Sequence, residues 1–155
     1  MRIEEHVEKF RRFDALRHRF DPLAEFELWY WMGLSGGTAI INAALHAVGV
    51  TQEDASFATQ VPDIYVEMQP DGGWSHHVRF GRDLIHVGLP PIEAPLPEPL
   101  DQIFALMGTI ERHRDPCTRG RQEVTPEIVS DCDSAYRKLV DLAQNILSQR
   151  GRGSI

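Results

Sequence analysis

The stretch of sequence that decides the fold lies at residues 23–48 and reads LAEFELWYWMGLSGGTAIINAALHAV. It contains no proline and follows Asp21–Pro22, a pair typical of a helix N-cap and the first helical position. Gly49 comes directly after it, and glycine is the residue that most often ends a helix. We therefore predict a helix from Leu23 to about Val48.

Three further segments repeat apolar side chains at three- and four-residue steps, the spacing of one helical face. They run from Ile3 to Phe20, from Leu100 to about Arg114, and from Thr125 to about Ile146. The sequence thus predicts a mainly α protein, built as a four-helix up-down bundle. We expect one helical domain over residues 1–149 and a disordered tail at residues 150–155.

A long proline-rich insertion separates the second and third helices. Residues 51–99 hold seven prolines, which exclude any long helix there. Ile64–Met68 and Val78–Phe80 flank a turn sequence at Asp71–Gly73, a pattern compatible with a short β-hairpin. A connection of this length inside a domain indicates local structure or a function.

The composition of the chain limits which kinds of partner we expect the protein to bind. The chain has 155 residues and a net charge of −7, which disfavours a protein that coats DNA or an anionic membrane. The N-terminal residues lack the apolar core of a signal peptide, and the longest apolar stretch is too interrupted to span a bilayer. We expect a cytoplasmic protein with no membrane partner, and the sequence indicates no cofactor.

An arginine-rich turn lies at the junction of the third and fourth helices. It contains Arg112, His113, Arg114, Arg119 and Arg121. Guanidinium groups donate paired hydrogen bonds to phosphate, so this turn is a candidate ligand-binding site for a nucleotide or an RNA backbone. The alternative is a solvated helix end, where the helix dipole favours cations.

The helix plan, together with this turn and the Thr125-Pro-Glu127 start of the last helix, resembles the HEPN family of helical bundles. In HEPN nucleases an Arg, a polar residue and a later His at this junction act in metal-independent RNA cleavage. Arg112–His113 looks like the opening pair, but Arg119 stands where the catalytic His is expected. Because an arginine does not deprotonate near neutral pH, the resemblance implies a non-catalytic member that binds nucleotide or RNA.

The insertion offers a second candidate site, of a different class. His76, His77, Asp83 and His86 lie within eleven residues, and imidazoles with a carboxylate suit zinc or iron. Adjacent histidines on a strand point to opposite faces, and the spacing matches no familiar metal motif. A metal-binding protein or enzyme using these residues is therefore the alternative to the first hypothesis.

A surplus of aromatic and small residues on the second helix suggests a third hypothesis. Trp29 and Trp31 point around the helix, and Gly33, Gly36 and Gly37 permit the close approach of another helix. We expect a homodimer seam here, with a ligand pocket as the alternative. A purely structural homodimer is the corresponding function.

Overall fold

The computed structural model describes residues 1–59, 64–78, 83 and 96–150. Its helices are α1 (Ile3–Arg17), α2 (Phe26–Ala47), α3 (Glu98–Glu111) and α4 (Pro126–Arg150), and a short π-helical turn at Asp115–Arg119 joins α3 to α4. The predicted mainly α fold with four helices is confirmed.

The helix ends differ from the predicted ones by a few residues, for local reasons. The Asp21 carboxylate accepts hydrogen bonds from the backbone N–H groups of Leu23 and Ala24, at 2.9 and 2.8 Å. It therefore caps a separate turn, and α2 begins at Phe26 rather than at Leu23. At the predicted start of α4, Thr125 Oγ1 accepts a hydrogen bond from Ile128 N–H at 3.4 Å, which is the contact of a helix N-cap.

The insertion contains a small antiparallel sheet in the order β1–β2–β3, where β1 is Phe57–Ala58, β2 is Ile64–Met68 and β3 is Trp74–Val78. The predicted hairpin is present, with β2 as expected and β3 four residues earlier than predicted. Its turn closes through Gln69 N–H to Gly73 O at 2.8 Å, and Gly72 has φ of 82°. A positive φ of this kind favours glycine.

Helix α2 forms the centre of the core, and its glycines let the other helices approach. A Cβ atom at Gly36 would lie 2.8 Å from Tyr136 Oη, and one at Gly37 would lie 2.4 Å from Met107 Cε. A Cβ atom at Gly33 would likewise lie 3.1 Å from Nε of the Arg17 side chain. Trp29 is also buried, whereas Trp31 is half-buried on the core's margin.

These positions correct the predicted dimer seam. Gly33, Gly36, Gly37 and Trp29 are buried against other parts of the same chain and leave almost no surface to a second copy. The close approach that the glycines indicated is made within one bundle, because α1, α3 and α4 all pack on α2.

Contacts at the two ends of the bundle fix the up-down arrangement. Glu53, just after α2, accepts a backbone bond from Ile3 at the start of α1 and pairs with Arg150 at the end of α4, both at 3.0 Å. At the other end, Tyr30 Oη donates to Ile110 O at 2.7 Å. Arg150 thus belongs to α4 rather than to the predicted tail, and residues 151–155 lie outside the described residues.

No helix within the described ranges has the length and apolar character needed to cross a membrane.

Candidate metal centre

A cluster of three ionisable side chains lies at one end of the bundle. Its first member, His6, is on the core-facing side of α1. It lies three residues after Ile3 and four before Phe10, both of which are buried. Helical periodicity therefore turns His6 into the protein, where only 3% of it remains exposed. A polar ring in such a place needs partners, because burying it without hydrogen bonds is costly.

The second member, His46, is in the last turn of α2. The chain reverses direction just after this helix and brings Thr51 back against the His46 ring. Gly49 has φ of 75°, and Val50 N–H donates to Leu45 O at 3.1 Å. This left-handed helix end folds Thr51 against the imidazole, with Thr51 Oγ1 2.7 Å from His46 Nδ1. The His46 side chain is fully buried.

The third member, Asp83, comes from the insertion. Its backbone N–H donates to the hydroxyl of Tyr65 at 2.6 Å, and Tyr65 in β2 is itself completely buried. The carboxylate is 2% exposed, and its Oδ2 lies 2.6 Å from the nitrogen of Met1. The Tyr65 hydroxyl thus ties Asp83 to the small sheet.

These three side chains converge on one point. Asp83 Oδ1 lies 2.8 Å from His6 Nε2 and 2.7 Å from His46 Nε2. The imidazole centroids are 5.3 Å apart, with ring planes inclined at 51°. One ligand atom from each residue lies within 4.8 Å of the other two. Side chains from three distant parts of the chain thus point their ligand atoms at one small volume.

The electrostatics of the site follow from burial and from these contacts. Burial lowers the pKa of His6, although its hydrogen bond to Asp83 opposes the shift. Burial by itself would raise the pKa of Asp83, but the hydrogen bonds from His46 and His6 outweigh it and hold that pKa well below its usual range. The lowered pKa values of Asp83 and His6 therefore favour an ionised carboxylate and a neutral imidazole, the forms in which both residues bind metal ions.

The donor set fits a divalent transition metal. Imidazole nitrogen with carboxylate oxygen suits zinc and non-haem iron, whereas calcium and magnesium take mainly oxygen ligands. Tetrahedral ligand atoms about 2.0–2.2 Å from a zinc ion lie about 3.3–3.6 Å apart, so the 2.7 and 2.8 Å separations need to widen by roughly 0.5–0.9 Å when an ion enters. Three protein ligands leave a coordination position for water or another small ligand.

Of the four metal ligands that the sequence predicted, one belongs to this site. Asp83 is a member, but His76 and His77 are exposed on β3, where adjacent side chains point to opposite faces, and neither belongs to the described cluster of ligand atoms. His77 Nε2 is hydrogen-bonded to Ser75 Oγ at 2.8 Å. The expectation that His76 and His77 bind metal together with Asp83 is wrong, and His86 lies outside the described residues.

The arginine-rich turn has a different character. Arg112 and His113 share the Asp131 carboxylate, with His113 Nε2 at 3.1 Å. Hydrogen bonds from His113 and Arg112 lower the pKa of Asp131.

The remaining arginines of the turn are paired or exposed. Arg114 pairs with Glu111 and Asp115, each at 3.2 Å, and Arg119 lies 3.8 Å from Asp115. Arg121 is exposed. Arg112 with His113 thus meets Asp131, whereas Arg114 and Arg119 meet Asp115, so the basic side chains of the turn gather at two carboxylates and not at one point.

Sequence reasoning identified neither His6 nor His46 as a metal ligand. A signal for both was present, since each histidine occupies a position on the apolar face of its helix. The placement of Asp83 beside them depends on the path of the insertion, which no local pattern encodes.

Comparison with known proteins gives no family for the chain: no family model, no curated protein and no solved structure matches it significantly.

Proposed function

We propose that this protein is a metal-binding four-helix bundle whose His6, His46 and Asp83 hold a divalent transition metal ion. The observation that carries the proposal is the convergence of two imidazole nitrogens on one oxygen of a buried carboxylate. Helix packing delivers both imidazoles, and the sheet and Tyr65 deliver the carboxylate. Two imidazoles with one carboxylate are the ligands of several zinc enzymes and of non-haem iron oxygenases.

The burial of these three side chains and their short contacts favour a metal site over a chance cluster. Isolated polar groups rarely sit in a core, because their desolvation must be compensated. Here three ionisable side chains, each nearly inaccessible, are gathered at the bundle end where α1 begins and α2 stops. Thr51 holds one ligand from behind through the nitrogen that faces away from the carboxylate, as outer partners of metal-bound histidines do.

A zinc titration tests the proposal. The metal-free protein is titrated with Zn²⁺ against a chromophoric chelator, and we expect one ion per chain. Asp83→Ala and His46→Ala should each weaken zinc binding by more than about 100-fold, since losing a ligand costs more than losing an outer partner. The same titration with Fe²⁺ under anaerobic conditions distinguishes zinc from iron.

The matched control is His76→Ala combined with His77→Ala, which removes two exposed imidazoles from β3. This variant should bind zinc like the wild type. Circular dichroism confirms that each variant is folded. Zinc binding that survives in Asp83→Ala, or that disappears in the β3 variant, would overturn the proposal, as would a wild-type protein that does not bind zinc or iron.

The other functions inferred from the sequence have weaker support. Nucleotide or RNA binding by a HEPN-like domain needs arginines free to meet phosphate, and Arg112, Arg114 and Arg119 are each paired with a carboxylate. This binding, homodimer formation and a cytoplasmic location stay predictions. The RNA prediction is tested by measuring salt-sensitive binding in the wild type and its loss in Arg112→Ala combined with Arg119→Ala.

A further inference from the structure

The two histidines of the centre differ at the ring nitrogen that faces away from Asp83. His46 Nδ1 lies 2.7 Å from Thr51 Oγ1, in a buried contact. His6 Nδ1 is buried as well, but it has no hydrogen-bond partner among the described residues. Both rings therefore turn Nε2 toward the centre, but of the two only His46 has a hydrogen-bond partner at Nδ1 among the described residues.

The partner at Nδ1 matters because a neutral imidazole carries a single N–H. An ionised carboxylate only accepts, so a neutral ring with no ion bound carries its proton on Nε2 and donates it to Asp83 Oδ1, and for His46 this leaves Nδ1 to accept from the Thr51 hydroxyl. With an ion, the Nε2 lone pair binds the metal and the proton moves to Nδ1. The ring keeps one proton in both forms, so this change of tautomer releases none.

Thr51 can serve both tautomers because a hydroxyl donates and accepts. Rotation about its Cβ–Oγ1 bond turns the donor of the metal-free state into the acceptor of the metal-bound state. The Gly49 turn holds Thr51 in place, and only 8% of Thr51 is exposed. His6 has no such partner in the part of the chain that the structure describes, so its Nδ1–H in the metal-bound state would bear the desolvation cost of a buried, unpaired donor.

From this asymmetry we infer that Thr51 is a positioning residue that makes His46 the anchored metal ligand and leaves His6 as the exchangeable one. The inference rests on the proposed function and assigns unequal roles within the same site. An ion bound first by His46 and Asp83 gains His6 last and loses it first. A ligand that enters the coordination sphere is therefore expected to displace His6.

The first test compares three threonine variants by zinc competition titration. Thr51→Val should weaken zinc binding about 10- to 100-fold, the usual effect of losing an outer partner of a metal-bound histidine. Thr51→Ser keeps the hydroxyl and should remain within about threefold of the wild type. Thr38→Val is the matched control, because it removes a threonine hydroxyl away from the centre, one in α2 that donates to Leu34 O at 2.9 Å.

A second readout separates positioning from a general effect on folding. Long-range ¹H–¹⁵N spectra report which ring nitrogen carries the proton, and zinc should move the His46 proton from Nε2 to Nδ1 in the wild type and in Thr51→Ser. Thr51→Val should populate this Nδ1–H tautomer less at equal zinc. A merely structural Thr51 would change stability without changing this spectrum.

The asymmetry itself is tested by His6→Ala and His46→Ala. His46→Ala should cost at least tenfold more zinc affinity than His6→Ala. Equal losses in the two variants, or wild-type affinity in Thr51→Val while Asp83→Ala has lost the ion, would overturn the inference and leave the metal centre standing. A wild-type chain that takes up no ion would overturn the proposed function, and the inference with it.

Discussion

The two ends of the bundle each gather histidine, aspartate and basic or hydroxyl side chains, but they do so in opposite ways. At the metal-centre end, the partners are 37 and 77 residues apart in the chain, and both contacts are almost fully buried. At the arginine-rich end, most partners are one to four residues apart, and the Arg112, Asp115 and Arg119 side chains are more than half exposed.

This difference shows which clusters of charge carry information about function. Charges that are close in sequence and exposed satisfy one another in water, where ion pairs contribute little. Ionisable side chains that are brought together from distant segments into the interior need compensation that only specific geometry supplies. The buried cluster is therefore the better candidate site, although the arginine-rich turn is the more conspicuous one in the sequence.

We expect the largest effect on stability from a buried ion pair at the arginine-rich end, that of Arg17 with Asp133. Arg17 and Arg137 pair with the same carboxylate, Asp133, at 2.9 and 2.7 Å, but Arg17 is buried while 75% of the Arg137 side chain is exposed. The Arg17 guanidinium also stacks 4.1 Å from the centroid of Trp29. Arg17→Ala should lower the free energy of unfolding by about 3 kcal/mol.

Chemical denaturation measures this effect, with Arg137→Ala as the control. The control should change the free energy of unfolding by less than about 1 kcal/mol, because an exposed pair is screened by water. Similar losses in the two variants would mean that burial does not decide how much these ion pairs contribute.

At the metal-centre end, zinc should stabilise the fold by mass action. Free zinc at 100 times its dissociation constant should raise the free energy of unfolding by about 2.7 kcal/mol. Asp83→Ala should show no such gain, while Arg112→Ala should keep all of it. Denaturation curves with and without zinc measure the difference, and an equal gain in both variants would place the ion elsewhere.

The turn that supports His46 gives a smaller effect. Gly49 has φ of 75°, and a residue with a Cβ atom pays about 1–2 kcal/mol in this conformation. Gly49→Ala should lower stability by that amount and should weaken zinc binding, because Thr51 follows the turn. Gly108→Ala is the control, since a Cβ there meets no described atom within 4 Å. A neutral Gly49→Ala would contradict the account of the turn.

The smallest effect belongs to the exposed arginines. Arg112→Ala combined with Arg119→Ala should change the free energy of unfolding by no more than about 1 kcal/mol and should leave zinc affinity unchanged. Denaturation and zinc titration measure both quantities on the same sample. A loss of several kcal/mol would show that the turn contributes to the fold far more than its exposure indicates.

Much of the fold could be predicted from the sequence, because helices and turns leave local signals. The apolar stripes, the Thr125–Pro126 start of α4 and the Gly49 stop all correspond to observed elements. So does strand β2, which matches its predicted bounds. The glycines of α2 correctly indicated close approach, but their pattern does not say whether the approaching helix belongs to the same chain.

The candidate site was less accessible to sequence reasoning. His6 and His46 occupy apolar faces, which predicts their burial but not their common partner. Asp83 was recognised as a ligand type and grouped with His76 and His77, its neighbours along the chain. The actual grouping depends on how the insertion folds back onto the ends of α1 and α2, which is a property of tertiary packing.

X-ray absorption at the zinc edge tests the central claim most directly. With one zinc per chain, His6, His46 and Asp83 predict two imidazole nitrogens and carboxylate oxygen at about 2.0–2.2 Å, and the imidazole scattering should fall in His46→Ala. A sulfur shell at about 2.3 Å, which would implicate Cys117 or Cys132, or a spectrum of oxygen ligands alone would contradict the metal centre proposed for this bundle.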